Sequence, residues 1–139
     1  MGLVEIYDLA STATAKLSNI SSRAFVGAGN DVAIAGFILG GNGAKVLIRG
    51  LGPSLRQSGI TNALANPMLE LRDANGQLVL ANDNWKSTQA TAIQATTAAP
   101  TNDLESAIVT TLPNGSYTAI LKGQNGGTGV GLIEVFNLR

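Results

Sequence analysis

Short runs of Val, Ile, Leu and Thr, cut at close intervals by Gly, Asn, Asp and Pro, leave this chain little choice but β-strands. Val32–Leu39 (VAIAGFIL) is apolar throughout, yet too short and too β-branched for a helix. It is bounded by Gly29-Asn30-Asp31 and by Gly40-Gly41-Asn42-Gly43, and Ala44–Gly50 (AKVLIRG) follows at once, so the two runs read as a hairpin. Met68–Asp73 and Gln77–Asn82 flank Asp73-Ala74-Asn75-Gly76, the strongest hairpin signal in the chain. Leu104–Leu112 and Ser116–Gly123 flank Pro113-Asn114-Gly115, a turn that calls for positive φ at Asn or Gly. Gly131–Leu138 is the last strand.

Alternation orients several of these strands. Leu69 and Leu71 share one face while Glu70 and Arg72 share the other; Tyr117, Ala119 and Leu121 stand opposite Thr118, Ile120 and Lys122. Pro53–Gln57, opened by Gly52, is read as one helical turn. Ser87–Thr96 is either a short helix capped by Ser87 or a loop, since it has no clear apolar stripe. Eight or nine short strands with at most one or two short helices predict an all-β, antiparallel β-sandwich of jelly-roll type.

Charged residues are 13% of the chain, about half the usual share. Nine basic residues balance nine acidic ones, so no net field would draw the chain to nucleic acid or to an anionic membrane. No apolar run approaches the roughly 18 residues of a membrane span. No signal peptide is visible at the start, and the chain reads as soluble. There is neither cysteine nor histidine. That removes Cys nucleophiles, His bases, His–Cys zinc sites and Ser-His-Asp triads together.

The ends of the chain echo each other. Gly2-Leu3-Val4-Glu5-Ile6-Tyr7-Asp8-Leu9 matches Gly131-Leu132-Ile133-Glu134-Val135-Phe136-Asn137-Leu138, with four of the eight positions identical and the rest conservative. The remainder does not repeat, so the repeating unit is about one domain. Residues 1–15 therefore read as the last strand of a preceding unit plus a linker, and residues 16–139 as the sandwich. In strand geometry Leu3, Tyr7 and Leu9 share one face and Val4 and Ile6 the other. Burying each such side chain fully is worth about 1.5–3 kcal/mol, so the segment wants a slot. Left exposed, it is an aggregation hazard. Three destinations stay open: a place in its own sandwich, an edge of a neighbouring copy, or no role beyond that of a boundary remnant. The second makes the chain its own partner, through Leu3, Val4, Ile6, Tyr7 and Leu9 and their counterparts Leu132, Ile133, Val135 and Phe136. A head-to-tail contact of that kind builds filaments.

Met68–Trp85 (MLELRDANGQLVLANDNW), followed by Leu104–Gly123, resembles the bacterial pre-peptidase C-terminal domain, a jelly-roll β-sandwich appended to secreted enzymes and surface proteins. A longer pattern resembles a repeat found in tandem in very large secreted bacterial proteins. It runs through Lys16–Arg23, Val46–Leu55, Asn82–Trp85, Ala99–Ala107 and the closing Gly129–Val135. The resemblance implies an extracellular or cell-surface module without catalytic activity. Some members of the first family bind calcium through Asp and Asn near strand turns, which here match Asp73, Asn75 and Asp83. Those positions offer oxygen ligands, with Asn82 and Asn84 near in sequence, but calcium takes six to eight oxygens. Asx-turn chemistry accounts for the same residues.

Other candidate sites have plain structural readings. Trp85, beside Asn82-Asp83-Asn84, is either a plate for a sugar or a packed core residue with a satisfied indole N–H. Gly41-Asn42-Gly43-Ala44-Lys45 lacks the ending and the helix of a phosphate loop. Gly52-Pro53-Ser54-Leu55-Arg56 lacks the second glycine of a nucleophile elbow. Glu5, Glu70, Glu105 and Glu134 alternate with apolar residues and are expected on outward strand positions, with no spacing that sets two across a cleft. Arg49 shares a strand face with Lys45 and Leu47 and is expected to pair with a carboxylate such as Asp103 or Glu105. The reading that follows is a self-assembling structural subunit; the other is a calcium- or carbohydrate-binding accessory module.

Overall fold

The structure, a computed structural model, describes residues 19–138; the segment 2–9 and the linker up to residue 15 lie outside them. Eight strands are present among the described residues: β1 (Asn19–Val26), β2 (Ala33–Leu39), β3 (Ala44–Leu51), β4 (Pro67–Arg72), β5 (Leu78–Asn82), β6 (Ser106–Leu112), β7 (Gly115–Gly123) and β8 (Gly129–Asn137). They form two four-stranded sheets in the orders β1-β8-β3-β6 and β2-β7-β4-β5. β1 pairs with β8, β2 with β7, β3 with β6 and β4 with β5, all antiparallel. This is one long antiparallel ribbon rolled into two facing sheets, the jelly-roll arrangement expected from the sequence.

The rolled ribbon explains which hairpins exist. Only β4 and β5 are neighbours both in sequence and in a sheet, and their turn is the Asp73–Gly76 segment. The hairpin expected of Val32–Leu39 and Ala44–Gly50 does not form, because β2 and β3 belong to different sheets. Gly40–Gly43 instead carries the chain across the sandwich. Gly43 sits at φ +83, where a Cβ would lie 2.1 Å from the Leu112 carbonyl oxygen, so only glycine lets these two crossing points touch. Pro113-Asn114 is likewise a crossing, from β6 to β7, rather than the tip of a paired hairpin.

Two cores result. Val46 and Ile48 of β3, Leu69 and Leu71 of β4, Ile108 of β6, Ala119 and Leu121 of β7, and Ile133 and Val135 of β8 are buried between the sheets. On the outer face of the β1-β8-β3-β6 sheet, Leu47, Ala107 and Val109 pack under Trp85 and Ile93. β3 is therefore covered on both sides, which is why Val46, Leu47 and Ile48 run apolar without alternation. Proline at the first helical position opens a 3-10 turn over Pro53–Ser58, as expected. The short helix α1 covers only Ala90–Gln94, with Gln89 rather than Ser87 at its N-cap position. The Ser87 hydroxyl is engaged elsewhere, donating to the Asn84 carbonyl at 2.7 Å.

Candidate assembly surface

Among the described residues, the edge of β6 is covered by chain while the edges of β1 and β2 are not; β5, at the other end of its sheet, also pairs on one side only. At the covered edge the segment leading from β5 to α1 lies along the free side of β6. Gln89 acts there as a substitute strand: its Nε2 donates to the Val109 carbonyl at 2.8 Å and its Oε1 accepts from the Val109 N–H at 3.1 Å. The Asn82 Oδ1 accepts from the Ala107 N–H at 3.1 Å. Side-chain amides thus occupy backbone groups that an incoming strand would need.

At the open flank, β1 and β2 end their respective sheets, and each pairs on one side only among the described residues. Of their inward-facing apolar residues, Val26 and Ala33 are buried, while Ala24 of β1 and Ala35, Phe37 and Leu39 of β2 are only partly buried. Ser22, on the inward row of β1, is exposed. Phe37 stacks on Tyr117 with ring centroids 5.6 Å apart, so one side of this aromatic pair borders the gap. Outward, Phe25 is 61%, Ile34 59% and Ile38 73% exposed. These strand edges, unpaired among the described residues, border a half-covered core, and edges of that kind are where strand addition takes place in proteins that use it.

β8 is not such an edge. It lies between β1 and β3 and is hydrogen-bonded to both. Leu132, Ile133, Val135 and Phe136, expected as a contact between copies, all lie on this internal strand. Ile133 and Val135 are 1% and 7% exposed in the inter-sheet core, and Phe136 packs against the second core. Their partners in the echo, Leu3, Val4, Ile6, Tyr7 and Leu9, lie outside the described residues.

The other sequence-derived sites are dispersed. Asp73 closes its own turn, its Oδ1 accepting from the N–H groups of Asn75 and Gln77, both at 2.9 Å. Asp83 stands at the far end of β5, whose five residues rise about 3.3 Å each, on the order of 16 Å away. It accepts from Gln124 Nε2 at 2.9 Å and from Asn84 Nδ2 at 3.1 Å. Asp73, Asn75 and Asp83 therefore do not converge, and no group of three acidic residues that could hold a metal ion occurs among the described residues. Trp85 is 4% exposed, and its indole N–H donates to the Asn102 carbonyl at 3.1 Å. It is core rather than an open plate.

The carboxylates also differ from expectation. Arg49 pairs with Glu134, directly opposite on β8, and not with Asp103 or Glu105. Its Nε–Oε2 distance is 2.8 Å, its Nη1 donates to the Ala98 carbonyl at 2.9 Å, and its guanidinium lies 4.9 Å from the Phe136 ring centroid. Asp103 pairs with Lys86. Glu105 and Glu134 are 0% and 8% exposed, not outward in water. They do face away from the inter-sheet core, but the segment between β5 and β6 covers that side.

Glu70, on the uncovered outer face of the other sheet, bonds Lys122 and Arg72. Those cations hold its carboxyl below its ordinary value of 4.5 despite some burial. A depressed folded-state value means stability present at neutral pH and lost as pH falls through the folded pKa. Glu70→Gln should therefore flatten the acid limb of a stability–pH curve below about 4.5. The difference should be no more than about 1 kcal/mol, since both cations are partly solvated. Chemical denaturation between pH 7 and 3 checks it; an unchanged acid limb would remove Glu70 from the account.

Two facing four-stranded antiparallel sheets of this order define a jelly-roll β-sandwich. Among solved structures, the chain is similar to the pre-peptidase C-terminal domain of collagenase from Bacillus anthracis. The TM-score is 0.53 over 85% of this chain and 89% of that one, at 12% sequence identity. The resemblance drawn from Met68–Trp85 and Leu104–Gly123 is thus met at the level of fold. No family model and no curated protein matches the sequence. No helix among the described residues is long and apolar enough to cross a membrane.

Proposed function

We propose that this chain is a non-catalytic, self-assembling subunit of an extracellular bacterial fibre or surface layer, joined head to tail through residues 2–9. The observation that carries this reading is the open flank between β1 and β2, with its unpaired edges and half-covered Ala24, Ala35, Phe37 and Leu39.

Strand counting sharpens it. Residues 2–9 copy β8, and the β8 slot is already filled by the chain's own residues 129–137. Exchanging one copy for the other leaves a strand over each time, so exchange at that slot drives no assembly. Net burial requires a second acceptor, and the open flank is one. Such a contact is heterologous, and it continues into a filament wherever the rotation between units does not close a ring. The accessory-module reading has less support, because Trp85 is buried and the proposed calcium ligands stand apart.

Removing residues 1–12 is the test. The shortened chain should stay monomeric in sedimentation at concentrations where the full chain polymerises. Its melting temperature should change little, because the described residues of both cores are all retained in the shortened chain. Polymerisation unchanged by the deletion would contradict the mechanism.

A further inference from the structure

We infer that the open flank receives residues 2–9 of a second copy in parallel register to β1, with Glu5 opposite Arg23 and Tyr7 opposite Phe25. The inference rests on the strand-addition reading above and adds its partner, direction and register.

The outward row of β1 motivates it. Ala24 and Val26 pack into the inter-sheet core, so Arg23 and Phe25 point to the other face. Both are exposed, and Arg23 has no ion pair among the described residues. Beside them on β8 lie Leu132 and Val130, only partly buried. The edge therefore presents a cation and, two residues on, an aromatic ring. On one face of residues 2–9 stand a carboxylate and, two residues on, another ring: Glu5 and Tyr7. Val4 and Ile6, on the other face, would then point toward Ala24 and Phe37.

Within the sandwich the same chemistry is already in use. Glu134 and Phe136, the counterparts of Glu5 and Tyr7, engage Arg49 on the adjacent strand, one by ion pairing and one beneath the guanidinium. A segment that copies β8 carries a carboxylate and ring suited to a strand that offers arginine.

Direction is part of the inference, chosen as the one that meets both matches, carboxylate with cation and ring with ring. Placing Glu5 opposite Arg23 brings Tyr7 to Phe25 only if the strands run parallel. Run antiparallel, the same ion pair would set Leu3 against Phe25 and Tyr7 against Ser21. A parallel pair within one chain needs a connection of about a dozen residues or more. Residues 10–18, which separate the segment from β1, are fewer, so the occupant is another copy.

Charge reversal tests register and partner together. Glu5→Arg and Arg23→Glu should each raise the critical concentration for assembly, on the order of 5- to 10-fold, by setting like charges opposite each other. An equal mixture of the two variants should assemble like the unmodified chain, because each donor then meets an opposite charge in its neighbour. Recovery only when both changes are in one chain would place the segment on its own β1 and overturn the inference. Normal assembly of either single variant would overturn the register while leaving the deletion test of strand addition intact. A full chain that never assembles would overturn both. As a second measurement, Tyr7→Cys with Phe25→Cys, in a chain otherwise free of cysteine, should give a ladder of disulfide-linked chains on oxidation. Internally linked monomers alone would contradict the second-copy occupant.

Discussion

Replacing Trp85 by alanine is expected to lower unfolding stability by about 3–5 kcal/mol, the usual cost of deleting a buried large aromatic side chain. The ring closes the second core over Leu47, Ala107 and Val109, together with Ile93. Its indole N–H donates to Asn102, and its backbone N–H donates to the Glu105 carbonyl at 2.9 Å. Alanine would leave a cavity and leave the Asn102 carbonyl without its indole donor. Phenylalanine keeps most of the packing and should cost less. Urea denaturation of the three chains measures the series. As the only tryptophan, Trp85 should also emit at short wavelength when folded and shift to the red on unfolding. A loss under about 1 kcal/mol on truncation would mean the ring is peripheral, and would return Trp85 to the ligand-binding reading.

An effect of similar size is expected from Glu105→Ala. This carboxylate is fully buried, and no cation among the described residues pairs with it. Its Oε1 accepts from the N–H groups of Gly52 and Ser54 at 3.0 and 2.9 Å and from the Ser54 hydroxyl at 2.5 Å. These bonds shape the exit from β3 into the Pro53–Ser58 turn. Alanine orphans several donors at once, each costing about 1–3 kcal/mol when buried, so a total near 3–5 kcal/mol is expected. Glutamine retains an acceptor oxygen and should keep a substantial part of the stability. Equal losses for alanine and glutamine would show that the negative charge, rather than acceptor geometry, holds the turn.

These two residues also mark how far the sequence could be read. Alternation placed Leu69, Leu71, Tyr117, Ala119 and Leu121 on buried faces, because each strand there has one wet side. The same reasoning put Glu105 and Glu134 in water. Their faces point away from the inter-sheet core, but a non-repetitive segment, Asp83 to Leu104, lies over them. Its packing has no period to detect.

Hairpin signals behaved similarly. The Asp73–Gly76 turn was legible because a jelly roll keeps one hairpin local, the β4–β5 tip. Elsewhere consecutive strands cross between sheets, and a glycine-rich crossing such as Gly40–Gly43 looks like a hairpin turn in sequence. For the same reason the Arg49–Glu134 pair was missed: β3 and β8 are far apart in sequence and meet only once the ribbon rolls up.

The candidate surface was half legible. The echo drew attention to residues 2–9 as a strand in need of a slot. What accepts it was invisible, since nothing local marks β1 and β2 as sheet ends. Val32–Leu39 reads as uniformly apolar, yet Ile34 and Ile38 are exposed while Ala33 is buried. Gln89, which seals the opposite edge, belongs to a residue type with no distinctive pattern.

Electron microscopy of the purified full chain over a range of concentrations tests the central claim most directly. Strand addition at the open flank predicts filaments of regular axial repeat that lengthen as concentration rises. Uniform small particles at every concentration would contradict it.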